Sequence, residues 1–271
     1  MDHFYITLPS NSSEDFYGKQ SLCSFKTHLA KPMHLDVSEW EVGLAEIIYP
    51  HTWKNVNNGK FCFKYLENAN WVWHESEIPA AMYESPEVLI NALNEKLRDG
   101  LPKDQHGKIA FHYNSVERKF VAFVDRAGYM VRFSKPMAIT LGLGDKETTL
   151  KQTREEENHG ISENENRLIY DNDKIIGQYA MDLNRGLHTF FVYCDIVQYQ
   201  PVGDANVPLL RTLAVTGRNG EVVAKSFDNV HYVGLSRSTF QEVHIHITDD
   251  TGLKVPFEHG RVIVKLHFRR K

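Results

Sequence analysis

Residues 40–53, WEVGLAEIIYPHTW, carry the longest clean strand pattern of the chain. Side chains alternate between the two faces of a β-strand, so every second residue shares a face. One face then holds Trp40, Val42, Leu44 and Ile48, and the other holds Glu41, Gly43, Ala45, Ile47 and Tyr49. The face of large apolar residues predicts packing against a second layer. Pro50 cannot donate to a strand ladder and is expected to end the strand.

The same alternation places Glu46 among the large apolar residues of this strand. A buried carboxylate without a partner costs several kcal/mol or becomes protonated. We therefore expect a buried Arg, a hydroxyl or backbone N–H groups to satisfy Glu46 and help to fix the core. A role as general acid or base would need a second polar group in an open cleft, and the sequence identifies none. Trp40, Glu46, Pro50 and Trp53 are thus predicted to be structural residues.

One main helix is marked at both ends. Ser85 is a good N-cap, Pro86 suits the first helical position, and Gly100 can take the left-handed conformation that ends a helix. Steps of three and four residues predict an apolar stripe of Val88, Leu89, Ala92, Leu93 and Leu97. No glycine-rich phosphate loop precedes the helix, so we expect it to cover a sheet.

The rest of the predicted secondary structure consists of short strands separated by turn residues. A short helix is also predicted from Ser134 to Gly142 or Gly144. The strands are predicted at residues 4–8, 22–29, 61–65, 71–74, 108–113, 119–125, 129–133, 175–181, 187–200, 209–216, 227–235, 240–248 and 261–268. Residues 67–70 favour turn geometry, so the strands at 61–65 and 71–74 are predicted to form a hairpin. Many short strands without alternating helices indicate an all-β sandwich or barrel.

Two segments differ from this pattern. Residues 1–20 are predicted to form an N-terminal arm, whose strand at 4–8 docks on another element or on a neighbouring protein. Residues 145–173 are rich in charged and amide side chains and too poor in apolar ones to be buried, so they are predicted to form an acidic surface loop. The alternating acidic ligands of a calcium loop are absent from it.

Composition narrows the class of protein. The chain has 271 residues, of which 42% are hydrophobic, and a net charge of -4, which gives no global basic field for nucleic acid. Its only dense basic cluster, Arg269 to Lys271, is expected to be a solvated end. No apolar run is long enough for a membrane helix, and the N-terminus lacks a secretory signal. The widely spaced Cys23, Cys62 and Cys194 are expected to be reduced thiols of a protein made without secretion.

His244 and His246 have the one spacing typical of metal ligands, because residues two apart on a strand project the same way. This pair is similar to the start of a cupin metal motif, but no suitably spaced Glu and third His complete it. Val243, Ile245 and Ile247 are the predicted core residues of the strand, so the two histidines are expected to face solvent or a partner. A cupin-like metal protein stays open as an alternative.

No nucleophile elbow, zinc-protease helix, P-loop or dinucleotide fingerprint occurs in the sequence. We therefore expect no enzyme activity, no catalytic residue and no cofactor. A carbohydrate-binding jelly roll is a second alternative, in which exposed Trp53, Trp71 and Trp73 would line a shallow groove. Core packing is the more ordinary role for these residues.

Four stretches together carry a resemblance to a known family, and they run from the first residues to the last. They are FYITLPSNSS at 4–13, the segment 40–53, YCDIVQYQPVGD at 193–204 with Leu209, Leu210 and Arg211 after it, and residues 243–271. In their order and spacing they resemble the minor capsid, or penton, protein of Polinton (Maverick) elements and adintoviruses. The long acidic insertion near Glu155 departs from the family pattern.

This resemblance implies a single jelly-roll domain over residues 1–271. It also implies a structural protein of the virion, five copies of which form a vertex of an icosahedral capsid around double-stranded DNA. The expected partners are further copies of the chain and a double jelly-roll major capsid protein, with no specific nucleic-acid site. No catalytic residue or cofactor is implied.

Overall fold

The computed structural model describes residues 2–125, 128–144, 167–170, 174–184 and 187–271. Its contacts divide the chain into two compact units. The first unit combines residues 1–53 and 187–271, and the second consists of residues 54–186. The single domain over 1–271 stays a prediction, and each unit is described by itself below.

The described residues form strands and a few helices, and together they make an all-β protein with one main helix, as the sequence predicts. Strands β1 to β10 are His3–Pro9, Ser24–His34, Trp40–Pro50, Gly59–Glu67, Asn70–Ile78, Ile109–Asn114, Lys119–Val124, Met130–Ser134, Arg167–Tyr170 and Lys174–Ile176. Strands β11 to β18 are Thr189–Cys194, Gln200–Val202, Ala205–Val207, Leu209–Ala214, Val222–Ser226, Tyr232–Gly234, Thr239–Thr248 and Ile263–Arg270. Helices α1, α2 and α3 are Glu14–Tyr17, Pro86–Gly100 and Lys135–Thr140, and Lys103–Gln105 forms one 3₁₀ turn.

The first unit contains two antiparallel sheets. Sheet A has the order β1-β18-β3-β15, with β16 also paired to β3, and sheet B has the order β14-β11-β17-β2. The order of these strands along the chain gives the topology when the separate β12-β13 hairpin is left out and β15 and β16, which both pair with β3, are counted as one strand. Sheet A then joins the first, eighth, third and sixth strands, and sheet B joins the second, seventh, fourth and fifth. This topology is that of a jelly roll.

Aromatic side chains fill the space between the two sheets. The rings of Tyr49 on β3 and Phe190 on β11 meet edge to face with centroids 5.1 Å apart. Near the other end of the sandwich, Phe240 on β17 stacks with Phe268 on β18 at 6.2 Å. All four side chains are buried, and such contacts add about 0.5–1.5 kcal/mol each to the gain from apolar burial. They hold sheet A against sheet B.

A β-bulge in β3 overturns the predicted position of Glu46. In the pairing with β18, Lys265 lies opposite Glu46 and Leu266 lies opposite Leu44, so Ala45 is an extra residue. The insertion exchanges the two faces of the strand. As a result Ile47 and Tyr49 are buried with Leu44, whereas Glu46 and Ile48 point outward and are only half-buried. The strand ends at Pro50, as predicted.

The second unit has two antiparallel sheets of its own, β5-β4-β8-β9 and β10-β7-β6. The predicted hairpin of β4 and β5 turns at Asn68 and Ala69, both with positive φ, as a two-residue hairpin turn requires. A cluster of phenylalanines makes the centre of the core: the ring of Phe133 lies 5.6 Å from the rings of Phe111 and Phe120.

Helix α2 covers the core of the second unit and begins as predicted, because the Ser85 hydroxyl accepts from the Val88 N–H at 3.3 Å. Its buried residues are Leu89, Ile90, Leu93 and Leu97. Val88 was expected in this stripe and is 49% exposed. The expectation for Gly100 was also wrong. It stays in the helix, and a Cβ there would lie 2.7 Å from the Phe63 ring, so close packing is the reason for glycine at this position.

Several predicted boundaries were wrong. Of the strand expected at 227–235 only β16 is formed, residues 227–231 are not in a strand, and β15 before them was not predicted. The strand expected at 187–200 stops at Cys194, and the one expected at 175–181 stops at Ile176. Most of the predicted loop 145–173 lies outside the described residues, but residues 167–170 form β9, which pairs with β8.

Candidate functional site

The two histidines with metal-like spacing lie on the outer face of sheet B. Val243, Ile245 and Ile247 are completely buried, which confirms the predicted core face of β17. On the other face, the His244 Nε2 and the Ser24 Oγ are 3.0 Å apart, in hydrogen-bond contact. The His246 ring stacks with Tyr193 at 6.3 Å. Burial lowers the pKa of both imidazoles, so both are neutral near pH 7.

The geometry around this pair brings together two imidazoles and a hydroxyl. The ring centroids of His244 and His246 are 6.4 Å apart. Within the described ranges, no group of three or more His, Cys, Asp or Glu side chains is placed to hold a metal ion. A structural zinc site takes four protein ligands and a catalytic one takes three, and the described neighbours of the pair supply no third ligand of this kind.

Asp195 organises this region, although the sequence analysis did not single it out. Its Oδ1 accepts from the His244 backbone N–H at 2.7 Å, and its Oδ2 accepts from the Arg237 guanidinium at 2.7 Å. Asp195 directly follows β11, where a continuing strand was predicted. Its carboxylate therefore links β11, β17 and the segment of Arg237 in one charged contact. The sequence offers no spacing that points to this contact.

The N-terminal segment covers part of the outer face of sheet B. The Phe16 ring, which is 63% exposed, stacks on His28 with centroids 4.2 Å apart. The hydroxyls of Ser12 and Thr27 are 2.9 Å apart and share a hydrogen bond. Residues of the predicted arm are thus tied to sheet B through side chains, in addition to the pairing of β1 in sheet A.

The outer face of sheet A carries a cluster of aromatic and imidazole rings. His267 on β18 stacks on Tyr5 at 4.4 Å, and its Nδ1 is hydrogen-bonded to the Tyr232 hydroxyl at 2.7 Å. Burial lowers the pKa of His267. A pocket of about 370 Å³ opens beside this cluster. Its charged lining residues are Glu46, Asp228 and Lys265.

Ion pairs give partners to Glu46 and to the basic cluster at 269–271, two features that the sequence singled out. Lys265 Nζ lies 3.6 Å from Glu46 Oε2, so Glu46 has a partner, but on the solvent side of the sheet and not in the core. The basic cluster at 269–271 is exposed, as expected, but two of its side chains have acidic partners. Arg269 donates to Glu41 Oε1 at 2.7 Å and lies over the Tyr232 ring at 3.5 Å, and Arg270 approaches Glu39 at 3.7 Å.

The three tryptophans of the carbohydrate alternative have different environments. Trp53 is 4% exposed and packs against Phe190 and Phe257, so its ring is unavailable to a sugar. Trp40 is likewise buried. Trp71 and Trp73 lie on β5 of the second unit. The Arg132 guanidinium covers the Trp73 ring at 3.6 Å, and Trp71, 38% exposed, meets Tyr129 edge to face.

The three cysteines are all buried, and none of them forms a disulfide. Burial raises the pKa of the Cys194 thiol to about 12, so that thiol stays protonated at neutral pH and is a poor nucleophile. In the described part of the chain, no helix is both long and apolar enough to cross a membrane.

Comparisons with known proteins show similarity in structure. No protein-family model and no curated protein matches the sequence. Among solved structures, the mavirus penton protein is 12% identical to this chain, with a TM-score of 0.51 and all of both chains covered. A chain of the Sputnik virophage structure is 13% identical, with a TM-score of 0.49, 100% of this chain covered and 98% of that one. At this identity the first comparison shows a shared fold.

Proposed function

We propose that this protein is a structural capsid protein, a penton subunit whose homopentamers form the vertices of an icosahedral virus-like particle. The observation that carries the proposal is the jelly-roll strand order of the first unit, together with a fold shared over the full length of the mavirus penton protein. A jelly roll by itself serves many functions. The match in fold over both whole chains, the second unit included, favours the capsid role over the others.

The surfaces of the first unit fit such a role. A ring of identical subunits needs two different patches on each subunit, because each contact joins one patch to the other. The outer faces of sheets A and B both carry half-buried rings, such as His267 with Tyr5 and His246 with Tyr193. Half-buried aromatic side chains are enriched in protein interfaces. We infer that these faces lie at or near contacts between protomers.

The other parts of the proposal follow from the family resemblance. The partners are further copies of the chain and a double jelly-roll major capsid protein, and the particle encloses double-stranded DNA without a specific nucleic-acid site on this subunit. The protein is made in the host cell without secretion and resides in the virion. It performs no catalysis and needs no cofactor.

The native mass of the purified protein tests the proposal. Light scattering over a concentration series, at neutral and at mildly acidic pH, should show a species of five times the 31.3 kDa chain mass. Where the protein alone stays monomeric, the same measurement is repeated with the major capsid protein present. A chain that remains monomeric in both settings, or that forms only dimers, contradicts the vertex role.

The same preparation tests the two alternatives. Elemental analysis should find no stoichiometric zinc, iron, copper or manganese, and a bound metal lost in a His244→Gln/His246→Gln variant would favour the cupin-like protein. A glycan array should show no binding that depends on Trp71 or Trp73. No specific observation in the described residues favours either alternative.

A further inference from the structure

Strand β1 is an edge of sheet A whose outer side has no partner in the described structure. The pairing with β18 uses the even-numbered residues, as shown at its two ends, where Ser10 N–H donates to Val262 and Asp2 accepts from Arg270. The backbone N–H and C=O groups of His3, Tyr5 and Thr7 therefore point away from the sheet. All three residues are exposed. The edge is open from His3 to Thr7 and closes at Pro9, whose carbonyl accepts from the Ser12 N–H and hydroxyl.

Strand β15 is the opposite edge of the same sheet and is also open. Phe227 N–H donates to Ala45 and Glu221 accepts from His51, so the odd-numbered residues face β3. The backbone groups of Val222, Ala224 and Ser226 point outward from the sheet, and these residues are exposed as well. Each edge of sheet A thus presents three free N–H and three free C=O groups within the described chain.

In sheet B, by contrast, side chains bind the outward backbone groups of the edge strands. The outward backbone of β2 is capped by side chains: the Gln20 amide donates to the Lys26 carbonyl at 2.8 Å and accepts from the Lys26 N–H at 2.7 Å. The Ser13 hydroxyl accepts from the His28 N–H at 2.8 Å. The same strand also contains Pro32. At β14, the Lys225 ammonium donates to the Ala214 carbonyl at 3.3 Å.

Capped backbone groups, prolines and charges are the devices by which proteins prevent pairing at sheet edges. Strand β1, HFYITLP, contains no Lys, Arg, Asp or Glu and has its one proline at its end, and β15, VVAKS, has a single lysine. Apolar side chains accompany the open edges: Phe4 and Ile6 are only half-buried, and Val222 is 70% exposed. An added strand would cover them.

We propose that β1 of one copy pairs with β15 of the next copy, so that sheet A continues from protomer to protomer. This inference rests on the proposed ring of identical subunits and names the backbone contact between them. The four strands β1, β18, β3 and β15 alternate in direction, because each neighbouring pair is antiparallel. The two edges therefore run in opposite directions, and a copy related by rotation about an axis along the strands meets its neighbour in antiparallel fashion, the more stable pairing.

The contact is heterologous, which distinguishes it from the two other pairings that the edges allow. Pairing of β1 with β1, or of β15 with β15, uses the same edge twice and stops at a dimer. Pairing of β1 with β15 leaves one free β1 edge and one free β15 edge on the joined pair of protomers. Such a contact continues until the ring closes, and the angle between the two edges sets the number of subunits.

Paired cysteines test the contact directly. Thr7→Cys is combined in turn with Val222→Cys, Ala224→Cys and Ser226→Cys, which samples the register of the new pairing. Within one chain, β18 and β3 separate the two edges by about 14 Å, whereas a disulfide needs Cα atoms within about 7 Å. A crosslink must therefore join two copies. The natural cysteines are buried, and the single variants Thr7→Cys and Ala224→Cys serve as controls.

We expect one of the three double variants to form disulfide-linked species up to the pentamer on a non-reducing gel, while the single variants stay uncrosslinked. Dimers of Thr7→Cys alone would overturn the inference in favour of β1-β1 pairing. A wild-type pentamer in which no double variant crosslinks would overturn the inference and leave the proposed function intact. A wild type that never associates would overturn both.

A proline substitution supplies a second readout. Thr7→Pro removes an N–H group that points to the free edge and takes no part in the β18 ladder. We expect the dissociation constant between protomers to rise about tenfold, since a lost hydrogen bond costs roughly 1–1.5 kcal/mol. Thr7→Val keeps the N–H and the branched side chain and should associate as the wild type does. Equal weakening in both variants would contradict a backbone contact.

Discussion

The Tyr49 hydroxyl makes two hydrogen bonds with the backbone of one residue, Thr216, across the jelly-roll sandwich. It donates to the Thr216 carbonyl at 3.1 Å and accepts from the Thr216 N–H at 3.0 Å. Tyr49 lies on β3 in sheet A and is completely buried, whereas Thr216 follows β14 in sheet B. One side chain thus completes the hydrogen bonding of the segment that leaves β14, while its ring packs on Phe190.

Replacing Tyr49 by Phe should therefore destabilise the first unit while keeping the ring contact. We expect the free energy of unfolding to fall by about 1–2 kcal/mol, because the N–H and C=O groups of Thr216 lose their partner but can still reach water. Urea denaturation measures the change. Tyr199→Phe is the control, since Tyr199 is 63% exposed and its hydroxyl should contribute little. Equal effects of the two substitutions would contradict the role of Tyr49.

The outward position of Glu46 gives a different expectation. Glu46 and Lys265 are both partly exposed and 3.6 Å apart, and exposed pairs of this kind contribute about 0.2–1 kcal/mol. Glu46→Ala should change the free energy of unfolding by no more than about 1 kcal/mol. A double-mutant cycle with Lys265→Ala should return a coupling energy in the same small range. A loss of 3 kcal/mol or more, the size expected for breaking a buried ion pair, would place Glu46 in the core after all.

The case of Glu46 shows which parts of the fold the sequence could predict. The end of β3 at Pro50, the apolar face of β17, the cap of α2 and the β4-β5 hairpin depend on neighbouring residues, and all were predicted. The bulge at Ala45 depends on the register against β18, more than 200 residues away in the chain. A single extra residue exchanges the faces of a strand, so alternation alone misplaced Glu46, Ile47 and Ile48.

The candidate site likewise has features that the local sequence predicts and contacts that only the fold creates. The alternation on β17 correctly predicted that His244 and His246 lie on the outer face of the sheet. The contacts of Asp195 with His244 and Arg237, and the capping of β2 by Gln20, depend on side chains that only the folded chain brings together. None of these partners has a fixed sequence spacing, so no motif could reveal them.

Asn94 on helix α2 makes a testable contact with the edge of β6. Its side-chain amide donates to the Phe111 carbonyl at 2.7 Å and accepts from the Phe111 N–H at 3.0 Å, as a neighbouring strand would. Asn94→Ala should lower the stability of the second unit by about 1–3 kcal/mol, because part-buried backbone groups lose their partner. Asn91→Ala removes an exposed amide from the same helix and has the same gain in helix propensity. Thermal unfolding of the two variants should separate them clearly, and a larger loss in Asn91→Ala would refute the assignment.

Mild acid should destabilise the jelly roll. Burial lowers the pKa of His51, His244, His246 and His267 below the ordinary value of 6.5. As the pH falls through 6.5, the unfolded chain takes up protons that the folded chain does not, so the free energy of unfolding falls. We expect it to decrease steadily from pH 7.5 to pH 5 in urea titrations. His246→Gln should reduce the slope, because one such group is gone. A stability that is constant or rises over this range would show that these imidazoles accept protons in the folded state as readily as in the unfolded one.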